Sequence, residues 1–259
     1  MKVWKIFLII GAIVLTGGIA LFIVGLGLNG WSVNANYEMN TFTASVQIDA
    51  LDVDFEAGAL DIEFFDGEYA EVDYPTSVRR GYKVDVVNGN TLKLSSSSRG
   101  VTFFGWGKIP KTKIRLPQGR AVAVDLDMSA GAVTIAGGEY GAFELEMSAG
   151  SVTAGEIKCG RFDADLSAGS ATFERLECLG FDLDASAGSF KVKALKSDVI
   201  EVDMSAGNVT MTVEGAKSDY NIRVEKSAGS CSVANQTGAT NKRLDVDLSA
   251  GSVNVTFTD

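Results

Sequence analysis

The tripeptide Ser-Ala-Gly recurs seven times, beginning at residues 129, 148, 167, 186, 205, 227 and 249. The first four intervals are 19 residues and the last two are 22. A fixed period near 20 residues marks a solenoid, in which each repeat is one coil that buries its apolar face only by stacking on its neighbours. Each triplet is preceded by alternating apolar and charged residues: VDLDM, FELEM, FDADL, FDLDA, IEVDM, IRVEK and LDVDL. Period-two alternation is a strand with one dry and one wet face. A second short alternation follows, as in SFKVK and NVTMT. Nineteen residues are too few for a helix and a strand with loops, and no 3.6-residue pattern is present. The chain therefore reads as all-β: a single parallel β-solenoid of 19–22-residue coils. The corner glycines supply a conformation that a Cβ would penalise, and the serines are expected to hydrogen-bond their own turns. In-register stacking is expected to align Val124, Phe143, Phe162, Phe181 and Ile200 in the core.

Upstream of residue 120 the pattern weakens. LDVDFEAGALDIEF at 51–64 resembles a degenerate coil, with Asp52, Asp54 and Gly58 where later coils place theirs. KVDVVNGNTLKL at 83–94 reads as two strands around an Asn-Gly turn, and KIRLP at 113–117 as a strand with a proline stop. Residues 46–120 are assigned as a capping β region and 121–259 as the solenoid proper. The coil ending at Asp259 is expected to form the exposed end of the stack, blunted only by polar residues such as Asn254 and Thr256.

Residues 6–28, IFLIIGAIVLTGGIALFIVGLGL, carry no charge and are long enough for one transmembrane helix. Lys2 and Lys5 precede this stretch, and no base follows until Arg79. The positive-inside tendency then leaves residues 1–5 as a cytoplasmic tail, with a linker at 29–45 and everything beyond it outside the membrane. A cleaved signal peptide is the rival reading, but its apolar region is usually only ~7–15 residues.

Composition narrows the function. Residues 1–120 hold 12 acids and 12 bases, whereas the remainder holds 21 acids and 11 bases, so the net charge of -10 resides after residue 120. So acidic a repeat excludes a nucleic-acid partner, which demands a positive footprint. The absence of histidine removes the usual acid/base at neutral pH and the usual metal ligand. Seven identical serines without a positioned base read as corners rather than nucleophiles. No catalytic or cofactor-binding residue is assigned, and the chain reads as a non-enzyme.

The membrane helix, the degenerate strands, the Ile114–Pro117 strand and the Ser-Ala-Gly-x-Val-Thr units together resemble a bacterial family of extracytoplasmic β-strand-repeat domains. Its name casts it as a family of candidate adhesins, and its function is unknown. The resemblance runs from Val46 to Asp259. It implies fold and an extracytoplasmic location, and it carries over no catalytic residue.

Three features are candidates for binding. Two acidic columns are expected on the wet face of the first strand. One contains Asp125, Glu144, Asp163, Asp182 and Glu201; the other contains Asp127, Glu146, Asp165, Asp184 and Asp203. They read as a solvated face copied with the repeat, or as a stripe for Ca²⁺ or Mg²⁺ or a patch for a cationic partner. Arg223 is expected between Glu201 and Asp245 as local charge relief, and Lys226 at a rim. The segment 101–110 gathers Phe103, Phe104, Trp106 and Lys108, a composition suited to a membrane interface or a partner surface, or to capping the first coil. Cys159 and Cys178, 19 residues apart, are expected to stack, either as free thiols or as a disulfide.

These features favour a membrane-anchored surface scaffold or binding protein with an unidentified envelope or surface partner. A regulatory partner in bacterial envelope-stress sensing is the first alternative. A polysaccharide-acting solenoid enzyme is the second, disfavoured because the carboxylates follow the repeat rather than break it.

Overall fold

A computed structural model describes residues 37–78, 80–98 and 110–258. The expected membrane span at 6–28 and the aromatic segment with Phe103, Phe104, Trp106 and Lys108 lie outside these residues. No helix among the described residues is long and apolar enough to cross a membrane.

Among the described residues nine coils stack, each made of two strands that belong to two facing sheets. In sequence order their strand pairs are Ala50–Phe55 with Ala59–Phe65 (coil 1), Thr91–Ser98 with Thr112–Pro117 (coil 2) and Val122–Met128 with Ala132–Ile135 (coil 3). Coils 4 to 6 comprise Gly138–Met147 with Ser151–Lys158, Arg161–Leu166 with Ser170–Glu177, and Gly180–Ala185 with Ser189–Lys196. Coils 7 to 9 comprise Val199–Met204 with Asn208–Glu214, Tyr220–Lys226 with Ser230–Cys231, and Lys242–Leu248 with Ser252–Thr258. The first strands form a front sheet and the second strands a back sheet, except that Gly138 and Glu139 still pair in the back sheet with Ile157 and Lys158, and every coil-to-coil pairing is parallel.

Register follows the repeat. Phe143 pairs with Phe162, Phe162 with Phe181 and Phe181 with Ile200, so the expected core column exists. Successive rings stack with centroids 5.7 and 5.5 Å apart. From the back sheet, Phe173 meets Phe162 edge-on at 5.1 Å, and Phe190 meets Phe181 at 5.7 Å, which joins the two sheets through one aromatic core.

The corners explain why the triplet is invariant. Gly150 has φ 111°, and a Cβ there would be driven into the carbonyl oxygen of Gly131 in the coil beneath. The same contact recurs coil by coil, so both the conformation and the close approach require glycine. Serine acts differently from the expectation. The backbone N–H of Ser148 donates to Met128 O at 2.9 Å, and that of Ser167 to Met147 O at 2.9 Å. No hydrogen bond from the Ser129, Ser148, Ser167 or Ser186 hydroxyls is present among the described residues.

The order of the coils in space departs from their order in sequence at both ends. Coil 1 pairs with coil 2 on one side and coil 3 on the other. Coil 9 inserts between coils 7 and 8. The spatial order is therefore 2-1-3-4-5-6-7-9-8. The coil ending at Asp259 is thus an interior layer, which corrects the expected exposed end. Extra residues make the crossing possible: the 22-residue intervals hold three more than one coil needs, enough to step over a layer.

The real end, coil 8, is plugged. Ile222 and Gln236 exchange backbone hydrogen bonds of 2.9 and 3.0 Å, and Asn235 Oδ1 accepts from the Val224 N–H at 2.5 Å. On the back sheet, Ser232 Oγ accepts from Val255 N at 2.8 Å and donates to Val255 O at 2.9 Å, standing in for a strand. At the opposite end, the antiparallel strand Arg80–Val87 covers the front sheet, and Glu71–Thr76 with Glu38–Thr43 covers the back. Buried Arg80 closes the glycine column there, its guanidinium over Gly58 and donating to Ala57 O. Both devices hide edges that would otherwise template aggregation.

Candidate functional site

Parallel pairing converts each repeated acid into a continuous column on the front sheet. The first column runs Asp52, Asp125, Glu144, Asp163, Asp182, Glu201 and Asp245. The second runs Asp54, Asp127, Glu146, Asp165, Asp184, Asp203 and Asp247, and ends on Glu225. All ten acids expected from sequence, from Asp125 to Asp203, lie in these columns. Sequence reasoning stopped the stripe short at both ends. The signal was present in LDVDF at 51–55 and LDVDL at 244–248, which share one pattern.

The first column is bracketed by bases. Lys93 of coil 2 pairs with Asp52, and Arg223 of coil 8 is in register with Asp245. Arg223 therefore stands at the end of the column, not between Glu201 and Asp245, because coil 9 separates it from coil 7. Arg161 lies 3.1 Å from Asp163 and 3.3 Å from Asp182, and Arg243 pairs with Glu201. Lys226, at the end of a core column behind Leu248, is exposed.

The second column has relief only at its last acid, Glu225, which pairs with Arg223. Among the described residues no base forms an ion pair with Asp54, Asp127, Glu146, Asp165, Asp184, Asp203 or Asp247. Burial and then the like charges of Asp54 and Asp125 raise the Asp127 pKa. Burial raises Glu146, with Asp127 and Asp165 adding to it. Asp184 and Asp203 are raised by burial first, then by Asp165 and Asp203 for the one and by Asp247 and Glu201 for the other. Asp182 in the first column is raised by burial and by Asp163 and Glu201, with Arg161 opposing. A shallow open trough runs beside the second column, lined by Asp184, Asp203 and Asp247 and by Ser186, Ser205 and Ser249.

The back sheet solves the same stacking problem by alternating signs. Lys158 meets Glu139 at 2.9 Å, and Lys196 meets Glu177 at 3.2 Å in the same ladder. Lys193 meets Glu174 at 2.7 Å. Arg175 binds Glu214 through Nε at 3.0 Å and Nη2 at 2.9 Å, with Glu177 at 2.9 Å from Nη1. Hydrogen bonds from Arg175 hold Glu177 and Glu214 below the ordinary glutamate value. Unbroken acidity is thus a property of one column of the front sheet and not of the repeat. Among the described residues no three acids or cysteines converge to hold a metal ion.

A family model described as Toastrack DUF4097 matches residues 48–259, the whole run of coils. The chain belongs to the Toastrack DUF4097 family. No curated protein matches it. Solved structures similar to this Toastrack chain include a candidate adhesin from Bacteroides fragilis, at 12% identity over 84% of this chain and 97% of that one, with a TM-score of 0.46. A candidate adhesin from Parabacteroides distasonis aligns at 11% identity over 85% and 98%, with a TM-score of 0.41. A candidate cell adhesion protein from Clostridium sporogenes aligns at 13% identity over 86% and 100%, with a TM-score of 0.33. The Toastrack assignment agrees with the resemblance read from the repeat.

Proposed function

We propose that this Toastrack protein is a non-enzymatic binding scaffold, anchored in the membrane by residues 6–28 and displayed outside it, that engages a cationic partner through its front sheet. The observation carrying this reading is the contrast between the two sheets. Stacked carboxylates ~4.8 Å apart repel by ~1 kcal/mol per pair even at the dielectric of water. The back sheet avoids that cost with alternating charges, while the second front column retains it from Asp54 to Asp247. A column kept uniformly acidic over eight coils is suited to a partner that brings positive charge, whether a basic protein surface or divalent cations such as Ca²⁺. The aromatic segment with Phe103, Phe104, Trp106 and Lys108 supplies a second contact in this proposal, at the membrane surface or on the same partner.

Reconstituted full-length protein should bind a poly-lysine surface, and binding should weaken steeply with salt. The variant D127N/D165N/D184N/D203N should lose most of that binding. Equal binding by wild type and variant would remove the acidic face from the proposal. Loss of envelope partners on changing Phe103, Phe104 and Trp106 to serine would assign the second contact.

A further inference from the structure

Cys159 and Cys178 occupy the same step of two successive return corners, where the chain leaves the back sheet for the next front strand. Lys158 pairs with Glu177 and Glu177 with Lys196 immediately before them. The Cys159 N–H donates to Glu177 O, and the Cys178 N–H to Lys196 O, each at 2.9 Å. Both side chains are buried and both are free thiols in this structure. The two thiols are close enough for each to shift the other's ionisation. Adjacent positions of a parallel ladder lie ~4.8 Å apart, inside the Cα range of a disulfide.

A disulfide also requires the two Cβ atoms to approach more closely than in-register strands hold them. That approach requires a small shift of the hydrogen-bonded corner, beside glycines that bring no side chain to resist it. Gly160 follows Cys159, and Gly180 follows Cys178 by two residues. A Cβ at Gly160 would meet nothing nearer than 3.9 Å, and one at Gly180 nothing at all within 4 Å. The flanking layers offer no competing partner, since Tyr140 and Ser197 take the equivalent places. Cys231 lies on coil 8 in register with Val253, three layers beyond coil 6.

We propose that Cys159 and Cys178 are a modification site, oxidised by a small-molecule disulfide to a bond that staples successive corners of coils 4 to 6. The inference rests on this corner geometry and is independent of the acidic-face reading. The Cys178 thiolate attacks one sulfur of the oxidant, forming a mixed disulfide and releasing one thiol. Cys159 then gives up its proton and attacks the Cys178 sulfur, expelling the second thiol. Two protein thiols are oxidised, one disulfide is reduced to two thiols, and the two protons leave with those thiols. The order follows from the pair itself. The neighbouring Cys159 thiol lowers the Cys178 pKa against the effect of burial, whereas the Cys178 neighbour and burial raise that of Cys159.

The test is to equilibrate full-length protein with oxidised glutathione, denature it, alkylate free thiols and map the peptides by mass spectrometry. The expected product carries one alkylated cysteine, Cys231, and a linked Cys159–Cys178 peptide pair lighter by two hydrogens. The unfolding midpoint should rise by roughly 5–10 °C and fall back on reduction. C159S and C178S should each abolish the link and the shift, and C231S should preserve both. The wild-type cycle between oxidised and reduced forms needs no variant to fold. Three alkylated cysteines after oxidation, or a link made only through Cys231, overturns the proposal.

Discussion

Lys93 Nζ lies 2.5 Å from Asp52 Oδ2, and this pair closes one end of a column of seven acids whose other end is met by Arg223. Bases at both ends relieve only the outermost layers. Replacing Lys93 with glutamate extends the column by one acid. Because the pair is partly exposed, the expected loss is ~1 kcal/mol, the sum of a modest ion pair and one new repulsion. Urea unfolding at low and high salt checks this: the deficit should shrink at high salt, and a salt-independent deficit would place its origin elsewhere.

The pH dependence of stability follows from opposed shifts. Asp127, Glu146, Asp182, Asp184 and Asp203 have folded pKa values above their ordinary ones. Protonating them favours the folded state, so stability rises as pH falls through those raised values and is lost above them. Glu177, Glu214 and Asp49 are lowered, so the stability they contribute disappears as pH falls through their depressed values. The melting temperature should therefore peak on the mildly acidic side of neutrality. A scan from pH 8 to pH 4 at low ionic strength measures it, and a curve that falls steadily from pH 7 contradicts the repulsion in the columns.

Divalent cations give a separate reading of the same face. Millimolar Ca²⁺ should raise the unfolding midpoint beyond the effect of sodium chloride at matched ionic strength. The D127N/D165N/D184N/D203N variant should lose that excess. An unchanged wild-type midpoint removes Ca²⁺ from the proposed ligands.

Corner glycines differ sharply in what they tolerate. Gly169 has φ 106°, and its Cβ would strike the carbonyl oxygen of Gly150, so Gly169→Ala should cost roughly 2–4 kcal/mol. Gly160→Ala meets open space and should be close to neutral. Denaturant midpoints of the two variants distinguish a glycine required by stacking from one merely tolerated.

Much of this architecture is legible in the sequence because a solenoid writes its stacking partners at a fixed spacing. The 19-residue interval is enough to pair Phe143 with Phe162 and Glu146 with Asp165. What the spacing does not carry is which layer lies beside which, since residues 201 and 245 make the same ladder as residues 182 and 201. Two residues held the missing information. Arg223 breaks an acidic column and Lys226 breaks an apolar one, and a coil that breaks both belongs at an end, where one neighbour is absent. Lys93 marks coil 2 in the same way. The acidic face was legible as a pattern, but its contrast with the back sheet was not, because the ion pairs of Arg175 with Glu214 span 39 residues.

The 7-9-8 layering also sets a timetable. Coil 8 is synthesised before coil 9 yet rests on it, so residues 220–231 must wait beside the growing stack until residues 242–258 slide beneath them. Tension applied past Thr258 meets the same arrangement in reverse. Coil 9 is gripped by hydrogen-bonded neighbours on both flanks and has to be drawn out lengthwise, as a bolt from a hasp, where an outermost layer would peel away one bond at a time.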